Sequence, residues 1–124
     1  MSAQKEELVK NEVVHCEVNG KDGPILQKFF GDLFNWEVNA DNPMNYGMVG
    51  DPEKGLSGGI GQTPDGSSMV TFYVGVDDIF AYLDKAVSLG GKVFMPETEA
   101  MEGVVIGLFA DPEGHIIGLA KDHG

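Results

Sequence analysis

The stretch VVIGLFADPEGHIIGLA, residues 104–120, has a looser copy earlier in the chain, YGMVGDPEKGLSGGIGQ, residues 46–62. In both copies an Asp-Pro-Glu turn with a following glycine separates two extended runs, because proline presets a turn's φ and glycine permits positive φ. An offset of 60 (107 − 47) aligns Gly47 with Gly107, and past an extra lysine an offset of 59 aligns Gly59 with Gly118. The sequence therefore contains an internal repeat.

The repeat also covers the segment before these stretches. VVHCEV at Val13 aligns with MVTFYV at Met69 at an offset of 56 (69 − 13), and the same offset pairs Leu33 with Leu89. Each copy has a β-branched strand pattern, then an amphipathic helix pattern, then further extended runs. We therefore predict an α+β fold made of two β-α-β-β-β modules.

The boundaries of the modules follow from the aligned features. Module 1 spans about residues 11–63 and module 2 about residues 68–121, within a single domain of residues 11–124. Residues 1–10 are polar and predict a flexible N-terminal segment.

Each module has a recognisable helix start. Asp22 predicts the N-cap of the first helix, and Asp77 or Asp78 that of the second. The core-facing positions predicted for the two helices are Ile25, Leu26, Phe29, Phe30, Leu33 and Phe34, and Ile79, Phe80, Leu83, Ala86 and Val87. Three strands are predicted after each helix: WEVN, NYGMVG and LSGGIGQ in the first module, and KVFMP, GVVIGLFA and HIIGLA in the second.

Composition narrows the functional classes. Eight lysines against 20 acidic residues give a formal charge of −12, and there is no arginine. Nucleic-acid binding needs a positive footprint, so nucleic acid is not expected as a partner. The chain carries one cysteine and no run of 18 apolar residues, which predicts a cytoplasmic protein without a membrane partner.

The strand beginning VVHCEV, the helix segment KFFGDLF and the terminal FADPEGHIIGL together resemble the vicinal oxygen chelate superfamily. This superfamily holds lactoylglutathione lyases, bleomycin-resistance proteins, fosfomycin-modifying enzymes and extradiol dioxygenases. The resemblance covers nearly all of the chain after the first ten residues. It implies that the two modules form a curved, cup-like mixed sheet around a groove, and that two chains form a homodimer whose grooves combine module 1 of one chain with module 2 of the other.

The resemblance also implies four metal-ligand positions, one on the first and one on the last strand of each module. In this sequence they are His15, Gly59, Thr71 and Gly118. Only His15 is a good ligand, and an open catalytic zinc site needs about three protein ligands. We therefore expect no cofactor, with a divalent metal ion as the alternative. The two glycines predict a groove that is wider and less polar than in a lyase.

Alternation along strands adds Glu17 to the face of His15 and Tyr73 to the face of Thr71. The predicted ligand-binding residues are His15, Glu17, Tyr46, Met48, Gly59, Thr71, Tyr73 and Gly118. Three residues are interpreted as structural: Cys16 as a buried thiol on the helix side, Trp36 in the core rather than in the groove, and His115 beside its turn. His123 is assigned to a disordered tail.

Three functions are compatible with this pattern. The first is a metal-independent protein of the bleomycin-resistance type that holds a hydrophobic or cationic small molecule in the groove. The second is a lyase, isomerase or transferase with a rebuilt site in which His15, Glu17 and Tyr73 are the catalytic candidates. The third is a non-catalytic dimerisation or accessory module.

Overall fold

The structure, a computed structural model, describes residues 11–121. The expectations for residues 1–10 and for His123 lie outside this range. The strands are β1 (Val13–Gly20), β2 (Gly47–Val49), β3 (Ser57–Gln62), β4 (Met69–Val76), β5 (Lys92–Met101), β6 (Val104–Ala110) and β7 (Ile116–Lys121). The helices are α1 (Gly23–Phe34), α2 (Ile79–Ser88) and one turn of 3-10 helix (Pro52–Lys54). The predicted α+β class is confirmed.

The described chain divides into two compact units. The N-terminal unit comprises residues 15–72, and the C-terminal unit comprises residues 11–14 with residues 73–121. In the N-terminal unit the strand order is β2-β3-β1, with β1 parallel and β2 antiparallel to β3. In the C-terminal unit the order is β4-β7-β6-β5, with β4 parallel to β7 and the other pairs antiparallel. The sequence repeat is thus repeated in the strand pairing of each unit.

The helix N-termini form as the sequence predicts. The Asp22 carboxylate accepts a hydrogen bond from the Ile25 amide at 3.1 Å, and the Asp78 carboxylate accepts one from the Ala81 amide at 3.0 Å. Of the two candidates for the second cap, Asp78 is therefore the one used. Helix α1 ends at Asn35, whose positive φ of 56° turns the chain in the left-handed region.

The predicted core face of α1 is correct only for Leu26 and Phe30, which are half-buried. Ile25, Phe29, Leu33 and Phe34 are exposed. The side that meets the strands also carries Gln27, whose amide nitrogen donates to the carbonyl oxygens of residues 45 and 60, both at 2.9 Å. The carbonyl oxygen of the buried Ile60 is satisfied in this way, and a polar side chain takes an inward position that an apolar pattern cannot predict.

The core face of α2 is correct in its central part only. Ile79 and Leu83 are buried and pack with Val76 and Leu119 into the core of the C-terminal unit. The other large members of the predicted face, Phe80 and Val87, are exposed.

The strand predicted at WEVN is also wrong. The structure has only an isolated bridge there, in which Asn39 and Met48 exchange hydrogen bonds of 3.0 and 2.8 Å. The side chain of Asn39 accepts from the Asp41 amide, and that of Asn42 accepts from the Met44 amide. Such local bonds compete with a strand ladder and turn the chain instead.

Each unit has an open apolar cavity between its helix and its strands. The cavity of the N-terminal unit is about 350 Å³ and is lined by Cys16, Phe30 and Trp36 among others. Cys16 lies on the helix side as predicted, but it is half-buried rather than buried. Trp36 is 45% exposed, so its predicted core position is wrong: it lies at the mouth of this cavity rather than inside a core. Within residues 11–121 no helix has the length and apolar character needed to cross a membrane.

Candidate functional site

The site is built on the parallel pairing of β1 with β3. The register places His15 opposite Ser57 and Glu17 opposite Gly59. Because side chains alternate along a strand, all four positions lie on one face. The antiparallel pairing of β2 with β3 adds Met48 to that face, opposite Gly59.

Four side chains on this face form a continuous hydrogen-bonded network. His15 Nδ1 lies 2.6 Å from Ser57 Oγ, and His15 Nε2 lies 2.7 Å from the hydroxyl oxygen of Tyr46. The Tyr46 hydroxyl donates to Glu17 Oε2 at 2.6 Å. The order is Ser57, His15, Tyr46, Glu17, and we call these residues the His15 network.

The donor directions in the network are mutually consistent. Since the Tyr46 hydroxyl gives its proton to Glu17, its oxygen accepts from a protonated His15 Nε2. His15 Nδ1 is then the acceptor for the Ser57 hydroxyl. Burial lowers the pKa of His15, and the negative charge of Glu17 offsets part of this effect. The imidazole is therefore neutral at pH 7, with its proton on Nε2.

Tyr46 reaches the network from the loop between α1 and β2, just before β2 begins, and not from a strand as predicted. The Asn42 side chain holds it by accepting from the Tyr46 amide at 2.9 Å and donating to the Tyr46 carbonyl at 2.7 Å. Asn45 beside it has a positive φ of 53°. The loop thus places the Tyr46 phenol on the face formed by β1 and β3.

Glycines on β3 make room for this phenol. A Cβ atom at Gly59 would overlap the Tyr46 hydroxyl, and one at Gly61 would lie 2.9 Å from Tyr46 Cδ1. The wider groove predicted at Gly59 is therefore wrong, because Tyr46 occupies the space. Glycine is required there for the close approach of an aromatic ring.

In the C-terminal unit a strand glycine likewise makes room for a tyrosine ring. Tyr73 on β4 lies directly opposite Gly118 on β7, and a Cβ atom at Gly118 would overlap the Tyr73 ring. Tyr73 is buried. The space predicted at Gly118 is likewise filled.

The residues of this site do not fit a catalytic metal ion. His15 Nε2 and Glu17 Oε2 both bind the Tyr46 hydroxyl oxygen, which stands where an ion held by these two donors would lie. His15 and Glu17 are the two side chains of the site that belong to the usual zinc-ligand types, and an open zinc site needs about three such ligands. Among residues 11–121, no group of three His, Cys, Asp or Glu side chains is placed to hold a metal ion.

Some of the predicted site residues meet within one unit, and others belong to the other unit. His15, Glu17, Tyr46 and Gly59 meet in the N-terminal unit. Thr71 is buried on β4, and Tyr73 and Gly118 belong to the C-terminal unit. His115 donates its amide to Asp111 and pairs with its carboxylate at 3.0 Å, next to its turn as expected.

Ser57 is the network residue that the sequence reasoning missed. The repeat pairs it with Ile116 at an offset of 59 (116 − 57). A polar residue at a strand position where the other module is apolar is a signal that could have found it.

Comparisons with known proteins agree with this fold. A family model described as a glyoxalase-like domain matches residues 15–120. The chain belongs to the glyoxalase-like family. The predicted membership of the vicinal oxygen chelate superfamily is thereby confirmed.

Relatives of known sequence are longer than this family member. It is 29% identical over 107 residues to the putative glyoxylase CFP32 of Mycobacterium bovis and of Mycobacterium tuberculosis, a match that covers 79% of this chain. The family member spans 41% of the length of these curated relatives.

Similar solved structures share the fold. A methylmalonyl-CoA epimerase from Streptomyces coelicolor has a TM-score of 0.64 at 17% identity, covering 92% of this chain and 99% of its own. A glyoxalase/bleomycin resistance protein/dioxygenase superfamily member from Vibrio splendidus has a TM-score of 0.59 at 18% identity, with coverage of 90% and 99%. The Mn(II)-bound glyoxalase from Novosphingobium aromaticivorans has a TM-score of 0.62 at 16% identity, with coverage of 90% and 39%.

Proposed function

We propose that this family member is a metal-independent small-molecule-binding protein of the glyoxalase/bleomycin-resistance type, with the His15 network as its polar recognition element. One observation carries the proposal. The Tyr46 hydroxyl bridges His15 Nε2 and Glu17 Oε2 at 2.7 and 2.6 Å, so a carboxylate, a phenol and an imidazole are held in place by direct hydrogen bonds.

The fold itself does not need this network. The repeat pairs His15 with Thr71, Glu17 with Tyr73, Tyr46 with Ile106 and Ser57 with Ile116. Module 2 therefore builds the equivalent strands without the network's imidazole or carboxylate. Polar groups that are costly to bury and that the sister unit dispenses with are typical of a binding site.

The charge of the network favours a hydrophobic or cationic ligand. His15 is neutral, so the Glu17 carboxylate is the net charge of the four linked side chains. The chain carries a formal charge of −12 and no arginine to pair with a carboxylate or phosphate. A cationic aromatic amine fits these conditions, and an anion is repelled at long range.

Thermal unfolding with three matched probes tests the proposal: benzylamine, benzyl alcohol and benzoate. We expect benzylamine to raise the melting temperature most, since a ligand at about 100 times its Kd adds about 2.7 kcal/mol to the free energy of unfolding. The Glu17→Gln variant removes the charge and should lose the preference for the amine, while Glu113→Gln, on an exposed turn, is the matched control. The proposal fails if no probe shifts the melting temperature, or if benzoate shifts it as much as benzylamine.

Acid–base catalysis is the second candidate function, and the continuous series of hydrogen bonds in the His15 network favours it. In the Ser57–His15–Tyr46–Glu17 order each group donates to the next or accepts from it at 2.6 to 2.7 Å. A neutral imidazole beside a carboxylate is suited to proton abstraction in an isomerase or lyase. Of the predicted catalytic candidates, His15 and Glu17 belong to this network.

Proton exchange separates the two candidates. An enzyme would exchange the acidic C–H protons of a panel of α-hydroxy ketones with D₂O, in the presence of EDTA, and His15→Gln would abolish the exchange. A binding protein would show probe binding with no exchange above the rate in buffer. Exchange that requires an added metal ion would contradict both metal-independent candidates.

The homodimer implied by the superfamily resemblance remains a proposal. In that arrangement a groove combines one unit from each chain, so binding would require two chains. Sedimentation equilibrium with and without benzylamine tests this, since a monomer that binds the amine would contradict it.

A further inference from the structure

Gln27 joins helix α1 to two elements of the candidate site. Its amide nitrogen lies 2.9 Å from the carbonyl oxygen of Asn45 and 2.9 Å from that of Ile60. Both partners are acceptors, so the two hydrogens of the amide nitrogen are both used. Asn45 precedes Tyr46 in the loop, and Ile60 lies on β3. One half-buried side chain of α1 therefore ties the loop of Tyr46 to the strand on which the phenol lies.

The two carbonyl groups flank the place of the Tyr46 ring. Ile60 stands between Gly59 and Gly61, whose missing Cβ atoms leave room for the ring. The bond to Asn45 fixes the residue next to the same phenol. Because the hydroxyl makes bonds of 2.6 and 2.7 Å, a shift of the loop away from β3 by about 1 Å would break both.

The repeat shows that helix packing alone does not call for a glutamine at this position. The offset of 56 pairs Gln27 with Leu83, which is buried in the core of the C-terminal unit. A Cβ atom at Gly47 would lie 2.9 Å from Gln27 Cγ. A Cβ atom at the aligned Gly107 would lie 3.2 Å from Leu83 Cδ1. The module that lacks the His15 network thus makes the same helix–strand contact with a leucine.

The segment that Gln27 holds also differs between the modules. The offset of 60 pairs Asn45 with Val105, which lies inside β6 and pairs with Glu99 of β5. In module 2 this segment is therefore held by strand pairing. In module 1 it is a loop, since β2 begins only at Gly47. The amide of Gln27 supplies to the loop a bond of the kind that a strand receives from its neighbour.

We infer that Gln27 is a positioning residue of the His15 network. Its two hydrogen bonds hold the loop of Tyr46 against β3, so that the phenol can bridge the imidazole and the carboxylate of the network. Both bonds go to backbone carbonyl groups, so Gln27 acts through the loop and the strand. The inference rests on the proposed function, in which this network is the recognition element.

Two variants at this position test the inference by NMR of the His15 ring in the absence of a ligand. Gln27→Leu introduces the residue that α2 carries, so it keeps an apolar contact with Gly47 and loses both hydrogen bonds. We expect the His15 Nε2 proton to exchange with water about fivefold faster or more, as expected for loss of one hydrogen bond. Gln27→Lys supplies a donor of similar reach and should return the exchange rate towards that of the wild type.

Gln62→Leu is the matched control. Gln62 also joins α1 to β3, but at the start of the helix, where its Oε1 atom accepts from the Gly23 amide at 3.1 Å. The His15 ring signals of this variant should stay as in the wild type. An unchanged exchange rate in Gln27→Leu overturns the inference, even if the melting temperature falls, because Gln27 would then be structural only. Equal changes in Gln27→Leu and Gln62→Leu overturn it as well.

Benzylamine binding separates this inference from the proposed function. Gln27→Leu should raise the benzylamine Kd about fivefold or more, because the network that recognises the amine is loosened. Faster exchange together with an unchanged Kd would contradict the positioning role in binding. If the wild type does not bind the amine, the proposed function fails, and the exchange rates still decide whether Gln27 positions the network.

Discussion

The Tyr46 hydroxyl links the two ionisable groups of the site, His15 and Glu17, by hydrogen bonds. This hydroxyl serves His15 as an acceptor and Glu17 as a donor, on a face where all three side chains are half-buried. Removing that hydroxyl leaves both partners without this bond in a partly desolvated place. A single substitution of Tyr46 can therefore measure how much its hydroxyl contributes to the free energy of unfolding.

Tyr46→Phe should lower the free energy of unfolding by about 1–3 kcal/mol, because a partly buried donor and acceptor lose their partner. Tyr82→Phe is the matched control, since the Tyr82 hydroxyl bonds only the exposed Asn11 side chain among the bonds described, at 3.1 Å. The control should cost about 0.5 kcal/mol or less. Urea denaturation of the three proteins measures both values, and equal losses would contradict the role given to Tyr46.

His15 should make stability depend on pH in a defined direction. Its pKa in the folded chain is lowered by burial, whereas the unfolded chain titrates near the ordinary value of about 6.5. Above that value both states hold a neutral imidazole and His15 has no effect. As the pH falls below it, the unfolded state takes up the proton first, so the free energy of unfolding decreases until the folded pKa is passed.

Denaturation from pH 7.5 to pH 5 should therefore show a smaller loss of stability in His15→Gln than in the wild type. The Glu17→Gln variant gives an independent check by NMR titration of the His15 ring. Because the Glu17 charge raises the pKa of His15 against the effect of burial, its removal should lower that pKa further. A higher His15 pKa in Glu17→Gln would contradict the electrostatic description.

Single residues of the site were accessible to sequence reasoning only where a strand pattern carried them. Alternation placed Glu17 on the face of His15, and the repeat drew attention to Gly59. The contact of Tyr46 with both depends on a loop closed by Asn42, and no periodicity reports on such a loop. The wider groove predicted from Gly59 is wrong for the same reason, because Tyr46, which is distant in the sequence, fills the space beside this glycine.

At the scale of elements, strand β3 has two adjacent glycines with different roles. A Cβ atom at Gly59 would overlap the Tyr46 hydroxyl, whereas one at Gly58 would meet Val49 Cβ at 3.6 Å, an ordinary contact. Gly59→Ala should therefore displace Tyr46 and lower the free energy of unfolding by about 2 kcal/mol or more. Gly58→Ala should change it by less than about 0.5 kcal/mol.

The NMR resonances of the His15 ring distinguish the two alanine variants best. In Gly59→Ala the His15 ring should lose its bond to the phenol, so its resonances should shift, while in Gly58→Ala they should stay in place. Similar shifts in both would mean that the pairing of β1 with β3 is disturbed generally. That result would contradict the specific packing of Tyr46 on Gly59.

The order and type of elements follow from the sequence more securely than their orientation. Caps and turns are local, so the Asp22 cap and the Asp-Pro-Glu turns are predicted correctly, and the second cap is narrowed to Asp77 or Asp78, of which Asp78 is used. Which face of α1 packs against the strands depends on contacts between residues distant in the sequence. Gln27 lies on the strand side, where it donates to the carbonyl oxygens of Asn45 in a loop and Ile60 on β3. Ile25, Phe29 and Leu33 are left exposed. The sequence alone gives no means of foreseeing that exchange.

At the scale of the whole molecule, the repeat separates what the fold needs from what one unit adds. Residues shared by both modules cap helices and shape turns. Residues present in only one module form the His15 network. The sequence identifies the repeat and hence the family, but the differences between its halves acquire meaning only when the structure shows which of them meet.

The net charge of −12 should make the whole molecule more stable in salt. Compact acidic chains are destabilised by self-repulsion, which is screened as the Debye length falls from about 30 Å at 0.01 M to about 3 Å at 1 M. Salt also weakens the Lys28–Asp32 pair, but a pair this exposed contributes little to stability. The melting temperature at pH 7.5 should therefore rise with NaCl. Near the sequence pI of about 4.3 the same series should have little slope, because the net charge is then close to zero. A melting temperature that falls with salt at pH 7.5 would mean that attractive pairs outweigh the excess of negative charge.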